Sequence, residues 1–152
     1  MASYIDPTYV DSELTGRIIG CAMRVHAALG NGFQEVVYQR SLGIEMRDEG
    51  LAFSREHEMP IYFKGERVGT RRVDFLVEQR ISVELKALIE LQDVHLAQAI
   101  NYLEAYNIKT GLLINFGARS LQFHRLSNAK YKPRVRTEIA AVEHPMQGEA
   151  KQ

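Results

Sequence analysis

Residues 72–86 read Arg72-Val73-Asp74-Phe75-Leu76-Val77-Glu78-Gln79-Arg80-Ile81-Ser82-Val83-Glu84-Leu85-Lys86, and their pattern decides the fold. Side chains alternate faces along a strand. Val73, Phe75 and Val77 therefore share one face of a first strand, and Asp74 and Leu76 share the other. On a second strand Ile81, Val83 and Leu85 share a face, leaving Ser82, Glu84 and Lys86 opposite. With Glu78-Gln79-Arg80 as a three-residue hairpin loop, Val77 faces Ile81, Phe75 faces Val83 and Val73 faces Leu85. This register builds one continuous apolar face. It also sets Asp74 directly opposite Glu84, with Lys86 one step along.

Working outward, Thr15 to Leu29 carries Ile18, Ile19, Ala22, Val25 and Leu29 at helical spacing, and Gly30-Asn31-Gly32 stops that helix. Glu35 to Glu49 reads as a second helix ended by Gly50. Phe53 to Glu58 leads into Pro60-Ile61-Tyr62-Phe63 with strand character, and Lys64-Gly65-Glu66 reads as a hairpin turn. The strands Arg72 to Val77 and Ile81 to Ala87 follow. Asp93 is a fair N-cap for a third helix, Val94 to Tyr106. Gly111-Leu112-Leu113-Ile114-Asn115 is short and apolar, as a strand buried on both faces would be. Ser120 to Arg125 reads as a last strand. The order helix, helix, strands, helix, two strands predicts an α/β fold, one mixed sheet flanked by helices.

The chain has 152 residues, room for one ordinary domain but not for two full-sized ones. We expect an N-terminal segment over residues 1–12, a domain over residues 13–126, and a basic, mobile tail over residues 127–152 with Lys130, Lys132, Arg134 and Arg136. Nineteen basic residues balance nineteen acidic ones, which argues against coating nucleic acid through bulk charge. A local basic groove stays possible. The single cysteine, Cys21, cannot form an intrachain disulfide. The start has no basic n-region or apolar core, so no signal peptide is expected, and no apolar run is long enough for a bilayer. The expected location is the cytoplasm.

Opposed carboxylates on neighbouring strands repel, and a divalent cation is the strongest available offset. Hard oxygen ligands suit Mg²⁺ or Mn²⁺, and Mg²⁺ takes only one or two carboxylates and keeps several waters. The backbone carbonyl of Leu85 would add an oxygen, and Lys86 would orient a water or stabilise charge on a phosphate. The bland alternative is a solvated face with a Glu–Lys pair worth little.

The chain here resembles the PD-(D/E)XK nuclease superfamily, and within it the small GxxExxY branch. Asp74 with Glu84-Leu85-Lys86 matches the D…ExK core, although Val73 stands where the literal motif has Pro. Gly32-Phe33-Gln34-Glu35-Val36-Val37-Tyr38 matches the branch's name motif. Gln98-Ala99-Ile100-Asn101-Tyr102 matches the QxxxY element on the helix after ExK, and Gly111 to Gly117 looks like the family's late strand. The resemblance runs from about Glu13 to Arg125. It implies a restriction-endonuclease-like core and a metal-dependent phosphodiesterase site. Asp74 and Glu84 would be metal ligands and Lys86 the catalytic lysine. Glu35 would reach the metal directly or through water. Gln98 and Tyr102 would place the phosphate or hold the strand.

Each of these residues has a plainer reading. Glu35 suits a first helical turn by its dipole alone. Tyr38 and Tyr102 read as packing aromatics with a surface hydroxyl. His26 lies on an apolar stripe, as a satisfied, partly buried histidine would. His95, one turn before Gln98, points either at the same cleft or elsewhere. His57 and His124 have no ligand spacing, which excludes zinc, and Cys21 reads as a small hydrophobe. Arg71-Arg72 are either phosphate contacts or a solvated charge run. The leading expectation is an Mg²⁺-dependent nuclease acting on DNA. The runner-up is a nuclease-fold protein used for binding or regulation, as a homodimer or with a protein partner.

Overall fold

In the computed structural model residues 4–133 are described. Arg134, Arg136 and most of the expected mobile tail lie outside them. The elements are α1 (Ser12–Leu29), α2 (Glu35–Asp48), β1 (Phe53–Phe63), β2 (Glu66–Val77), β3 (Ile81–Lys86), α3 (Asp93–Ala105), β4 (Thr110–Asn115) and β5 (Gln122–Ser127). Order and type follow the sequence reading. The strands form one five-stranded sheet in the order β1-β2-β3-β4-β5. All neighbours are antiparallel except β3 and β4, which run parallel and are joined through α3. The fold is α/β, a mixed sheet with helices on both faces.

One face of the sheet presents Phe75, Val77, Ile81, Val83, Leu85, Leu112 and Ile114 to α1 and α2, whose Ile18, Ile19, Ala22, Tyr38, Leu42 and Met46 complete the main core. On the other face, Ala99 and Leu103 of α3 pack on Leu113 and Leu126. Strand β4 is buried along its whole length, as its uninterrupted apolar run predicts. Each large side chain fully buried here contributes roughly 1.5–3 kcal/mol of transfer free energy.

Two elements are longer than their sequence pattern suggests. β1 runs unbroken through Pro60, which an edge strand tolerates because its outward N–H has no partner to lose. β2 starts at Glu66 rather than Arg72, and pairs β3 only over Val77–Ile81, Leu76–Ser82 and Phe75–Val83. The rest of β1 and β2 pair only with each other, with Phe63 opposite Glu66 at the far end. This makes a two-stranded arm. The last strand is shifted: it covers Gln122–Ser127 instead of Ser120 to Arg125.

The far end of β3 is tied down from β4. Asn115 is fully buried; its Oδ1 accepts from the Leu88 amide at 2.9 Å and its Nδ2 donates to the Leu88 carbonyl at 2.9 Å. The Phe116 amide donates to the Lys86 carbonyl at 2.8 Å. Gly117 packs so closely on Leu88 that an added Cβ would lie 2.3 Å from its nitrogen. Lys86 is therefore held on fixed backbone. At the opposite end, the N-terminal residues pack on the sheet: the Tyr9 hydroxyl donates to the Leu126 carbonyl at 2.5 Å, and Asp11 pairs with Arg80 at 3.1 Å.

Candidate active site

Asp74 has no ladder partner on either side. The β1–β2 register passes from Arg55–Phe75 to His57–Val73 without pairing Glu56 and Asp74, and Glu56 takes a left-handed φ of 52°. On the other side the β2–β3 ladder ends at Phe75–Val83. The register derived from sequence is right up to that pair. It does not extend to Val73–Leu85 or to Asp74 opposite Glu84.

The Asp74 carboxylate fills the fork so formed. Its Oδ2 accepts from the Leu85 amide at 2.8 Å, and its Oδ1 accepts from Gln39 Nε2 at 2.7 Å. In a strand a residue's N–H and C=O point to the same edge, so the Leu85 carbonyl also faces β2. Gln39 is a site residue that sequence reasoning missed. The available signal was its place one turn after Glu35 on the same helix. Its other amide atom, Oε1, is buried without a partner among the described residues.

Glu84 faces the α3 side, with only 13% of its side chain exposed. Burial, and behind it the Asp74 charge, raise its carboxyl above the ordinary value of 4.5, against Arg71 and Lys86 pulling it down. Glu35, at the start of α2, is raised for the same first reason and by Asp74 and Glu84, with Lys86 opposing. Each of the four groups Glu35, Asp74, Glu84 and Lys86 is thus within electrostatic reach of others. Asp74 and Glu84 line different cavities, however. Glu35, Gln39 and Asp74 line a cavity of about 260 Å³, whereas Glu84, Gln98 and Asn101 line one of about 630 Å³; Arg72 borders both.

The helical QxxxY element acts chiefly on an arginine. Gln98 itself is exposed in the larger cleft. The guanidinium of Arg71 donates to the Gln98 carbonyl and to Asn101 Oδ1 at 2.6 Å, lies 5.2 Å from the centre of the Tyr102 ring, and stands 3.8 Å from Glu84 Oε1. Tyr102 is fully buried; its hydroxyl has no partner among the described residues, and burial pushes its pKa up to about 12. Tyr38 is equally buried, with its hydroxyl donating to the Gly30 carbonyl at 2.6 Å and accepting from the Phe33 amide at 3.1 Å. Both rings do pack, but neither hydroxyl reaches the surface as expected.

Other candidates resolve simply. His95 Nδ1 accepts from the Gln92 amide at 3.0 Å, so it caps α3 instead of pointing at the cleft. The N-cap is accordingly Gln92, not Asp93. His26 is half-buried and bonded to the Ala118 carbonyl at 3.0 Å. Cys21 is buried, which pushes its thiol up to about 11 and leaves it a small hydrophobe.

Among the described residues no three His, Cys, Asp or Glu side chains converge on one metal position. The donor set nevertheless fits a hard cation that keeps several waters: two carboxylates, a strand carbonyl and the orphan Gln39 oxygen, all oxygen. It does not fit zinc or another soft metal. No described helix is long and apolar enough to cross a membrane.

Comparison with known proteins adds three findings. The sequence model described as the PD-(D/E)XK nuclease superfamily matches residues 12–126. No curated protein matches the chain. A crystal structure of a protein designated SSO0001 is similar at 17% identity and a TM-score of 0.50, over 88% of this chain and 65% of that one. At that identity the likeness shows a shared fold and nothing of activity.

Proposed function

We propose, from the premise that this chain belongs to the PD-(D/E)XK nuclease superfamily, that it is a metal-dependent nuclease of the GxxExxY branch, hydrolysing phosphodiester bonds in DNA in the cytoplasm. The observation that carries this reading is the strand fork: an unpaired Asp74 whose carboxylate is held by Gln39 and by the Leu85 amide, one residue along from Glu84, itself mostly shielded from solvent. A fold that only needed stability would close that ladder. Asp74, Glu84 and the Leu85 carbonyl would hold Mg²⁺ or Mn²⁺, with Glu35 approaching from α2. Such a cation supplies a lowered pKa for its water and charge for the phosphate.

The chain's own groups do the rest. Lys86, on backbone fixed by Phe116, carries an ammonium within electrostatic reach of Glu35 and Glu84, where it would orient the attacking water or meet charge developing on the phosphate. Gln39 fixes one Asp74 oxygen and so sets the direction of the other. Gln98 and Tyr102 serve the substrate strand through Arg71, which they hold.

The test is cleavage of single- and double-stranded DNA with Mg²⁺ or Mn²⁺ by the unmodified chain, Glu84→Ala and Lys86→Ala. Loss of at least about a hundredfold in both variants is expected; equal activity in all three removes the catalytic claim. A Mn²⁺ soak adds an independent readout, anomalous density in the fork.

A second reading, a nuclease-fold binding module, is favoured by one observation: no three acidic or imidazole side chains converge among the described residues. Titration calorimetry decides. Absence of heat with millimolar Mg²⁺, with and without DNA, favours the module.

A further inference from the structure

The cleft that holds Glu84 has a neighbour. A cavity of about 430 Å³ lies between the β1–β2 arm, which contributes Pro60, Ile61 and Tyr62, and the C-terminal end of α3, where Asn101, Ala105 and the capping residue Tyr106 line it. Arg71 and Asn101 border both this cavity and the catalytic cleft. Two of its lining residues are bonded to each other, the Tyr106 hydroxyl donating to the Pro60 carbonyl at 3.3 Å. Its rim is apolar and open: Tyr62 is 63% exposed and Ile61 40%.

The shared wall carries a cation with capacity to spare. Arg71 spends two N–H groups on Asn101 and Gln98, out of five. Its approach to Glu84, 3.8 Å, is longer than a hydrogen bond. The remaining donors lie on the boundary between an acidic cleft and an aromatic-edged cavity. A phosphate on the guanidinium with a flat, apolar-faced group beside it fits both at once. That combination is one nucleotide unit of an unpaired strand.

We propose that the cavity is a nucleobase subsite: an unpaired base lies against Tyr62 and Tyr106 while its phosphate is held by Arg71, so the substrate is a single strand or a frayed end. A paired base enters only after leaving its stack, at a cost of a few kcal/mol. The subsite rests on the nuclease reading for the path of the strand, and its test is separable from that reading.

The test compares two strands of about ten nucleotides, a typical single-strand site size: oligothymidylate, and an abasic deoxyribose-phosphate strand of equal length. Binding is followed by fluorescence polarisation with the Lys86→Ala chain in Mg²⁺. Oligothymidylate is expected to bind about tenfold tighter, one stacked base being worth about 1–3 kcal/mol. Adding Tyr62→Ala should close most of that gap. Adding Arg71→Ala should weaken both strands alike and lower the salt slope by about one. No preference for the base-bearing strand, a preference that survives Tyr62→Ala with Ile61→Ala, or no binding of either strand overturns the subsite. Cleavage that depends on Glu84 and Lys86 leaves the nuclease reading standing in each of those cases. An intact subsite in a chain that never cleaves does the reverse.

Discussion

The Asp74 carboxylate accepts a hydrogen bond from the backbone amide of Leu85 at 2.8 Å, where an ordinary ladder would have offered a carbonyl. A side chain thereby replaces main chain in the sheet, and its second oxygen is engaged by Gln39 at 2.7 Å. Asp74→Ala leaves both donors unanswered in a partly buried fork. We expect a loss of about 1–3 kcal/mol, read as a lower denaturant midpoint at constant m. Asp74→Asn, which keeps one acceptor, should cost less stability while removing Mg²⁺ binding by calorimetry. Equal stability of wild type and Asp74→Ala would show that the carboxylate does not hold the strands.

Glu84 makes stability depend on pH in a defined direction. Its folded pKa is raised above the ordinary 4.5, so folding favours the protonated form. Its contribution is fully present below pH 4.5 and is lost as pH rises through the raised value. Glu35 acts with the same sign. Glu84→Gln should therefore melt higher than wild type at neutral pH, and the difference should vanish towards pH 4. Mg²⁺ should raise the wild-type melting temperature at neutral pH and do little at pH 4. A melting curve in which Glu84→Gln gains nothing at neutral pH contradicts this.

Tyr102 separates a ring from its hydroxyl. The ring stacks on Arg71 at 5.2 Å, whereas the buried hydroxyl has no partner among the described residues. Tyr102→Phe is expected to keep activity within about threefold and to melt no lower, since it removes an unsatisfied buried group. Tyr102→Leu removes the cation–π contact, about 0.5–1 kcal/mol, and should raise KM more than it lowers kcat. A large kcat loss in Tyr102→Phe would put the hydroxyl in the chemistry.

Two glycines should behave in opposite ways. At Gly117 a Cβ would lie 2.3 Å from the Leu88 nitrogen and 2.4 Å from its oxygen. Both are backbone atoms, so Gly117→Ala must shift the loop that fixes Lys86, at about 1–3 kcal/mol. At Gly32, which opens the GxxExxY match, nothing lies within 4 Å. Gly32→Ala is expected to change the unfolding midpoint by less than about 0.5 kcal/mol.

Much of this was legible in the sequence because alternation and helical spacing are local signals. Phe75 and Val83 could be paired from their pattern, and the apolar run of Leu112 to Ile114 announced a strand buried on both faces. The exceptions were non-local. A left-handed Glu56 leaves no mark in composition, so the break opposite Asp74 could not be read, and the register was carried two pairs too far. Gln39 gave no motif of its own and matters only because the fork brings Asp74 to it. His95 looked like a cleft residue, yet its nearest donor was the Gln92 amide at the start of its own helix. Arg71 read as one of two exposed cations; its importance lies in three contacts with α3 that only folding assembles.

The same irregularities have a consequence at the outer rim of the sheet. β1 is an edge strand of eleven residues, long enough to template addition of a foreign strand. Pro60, the register shift between Ile61 and Tyr62, and the turned backbone at Glu56 interrupt its row of free donors and acceptors at intervals of a few residues. The kink that leaves Asp74 unclaimed by its neighbours thus also guards the chain against self-association into aggregates.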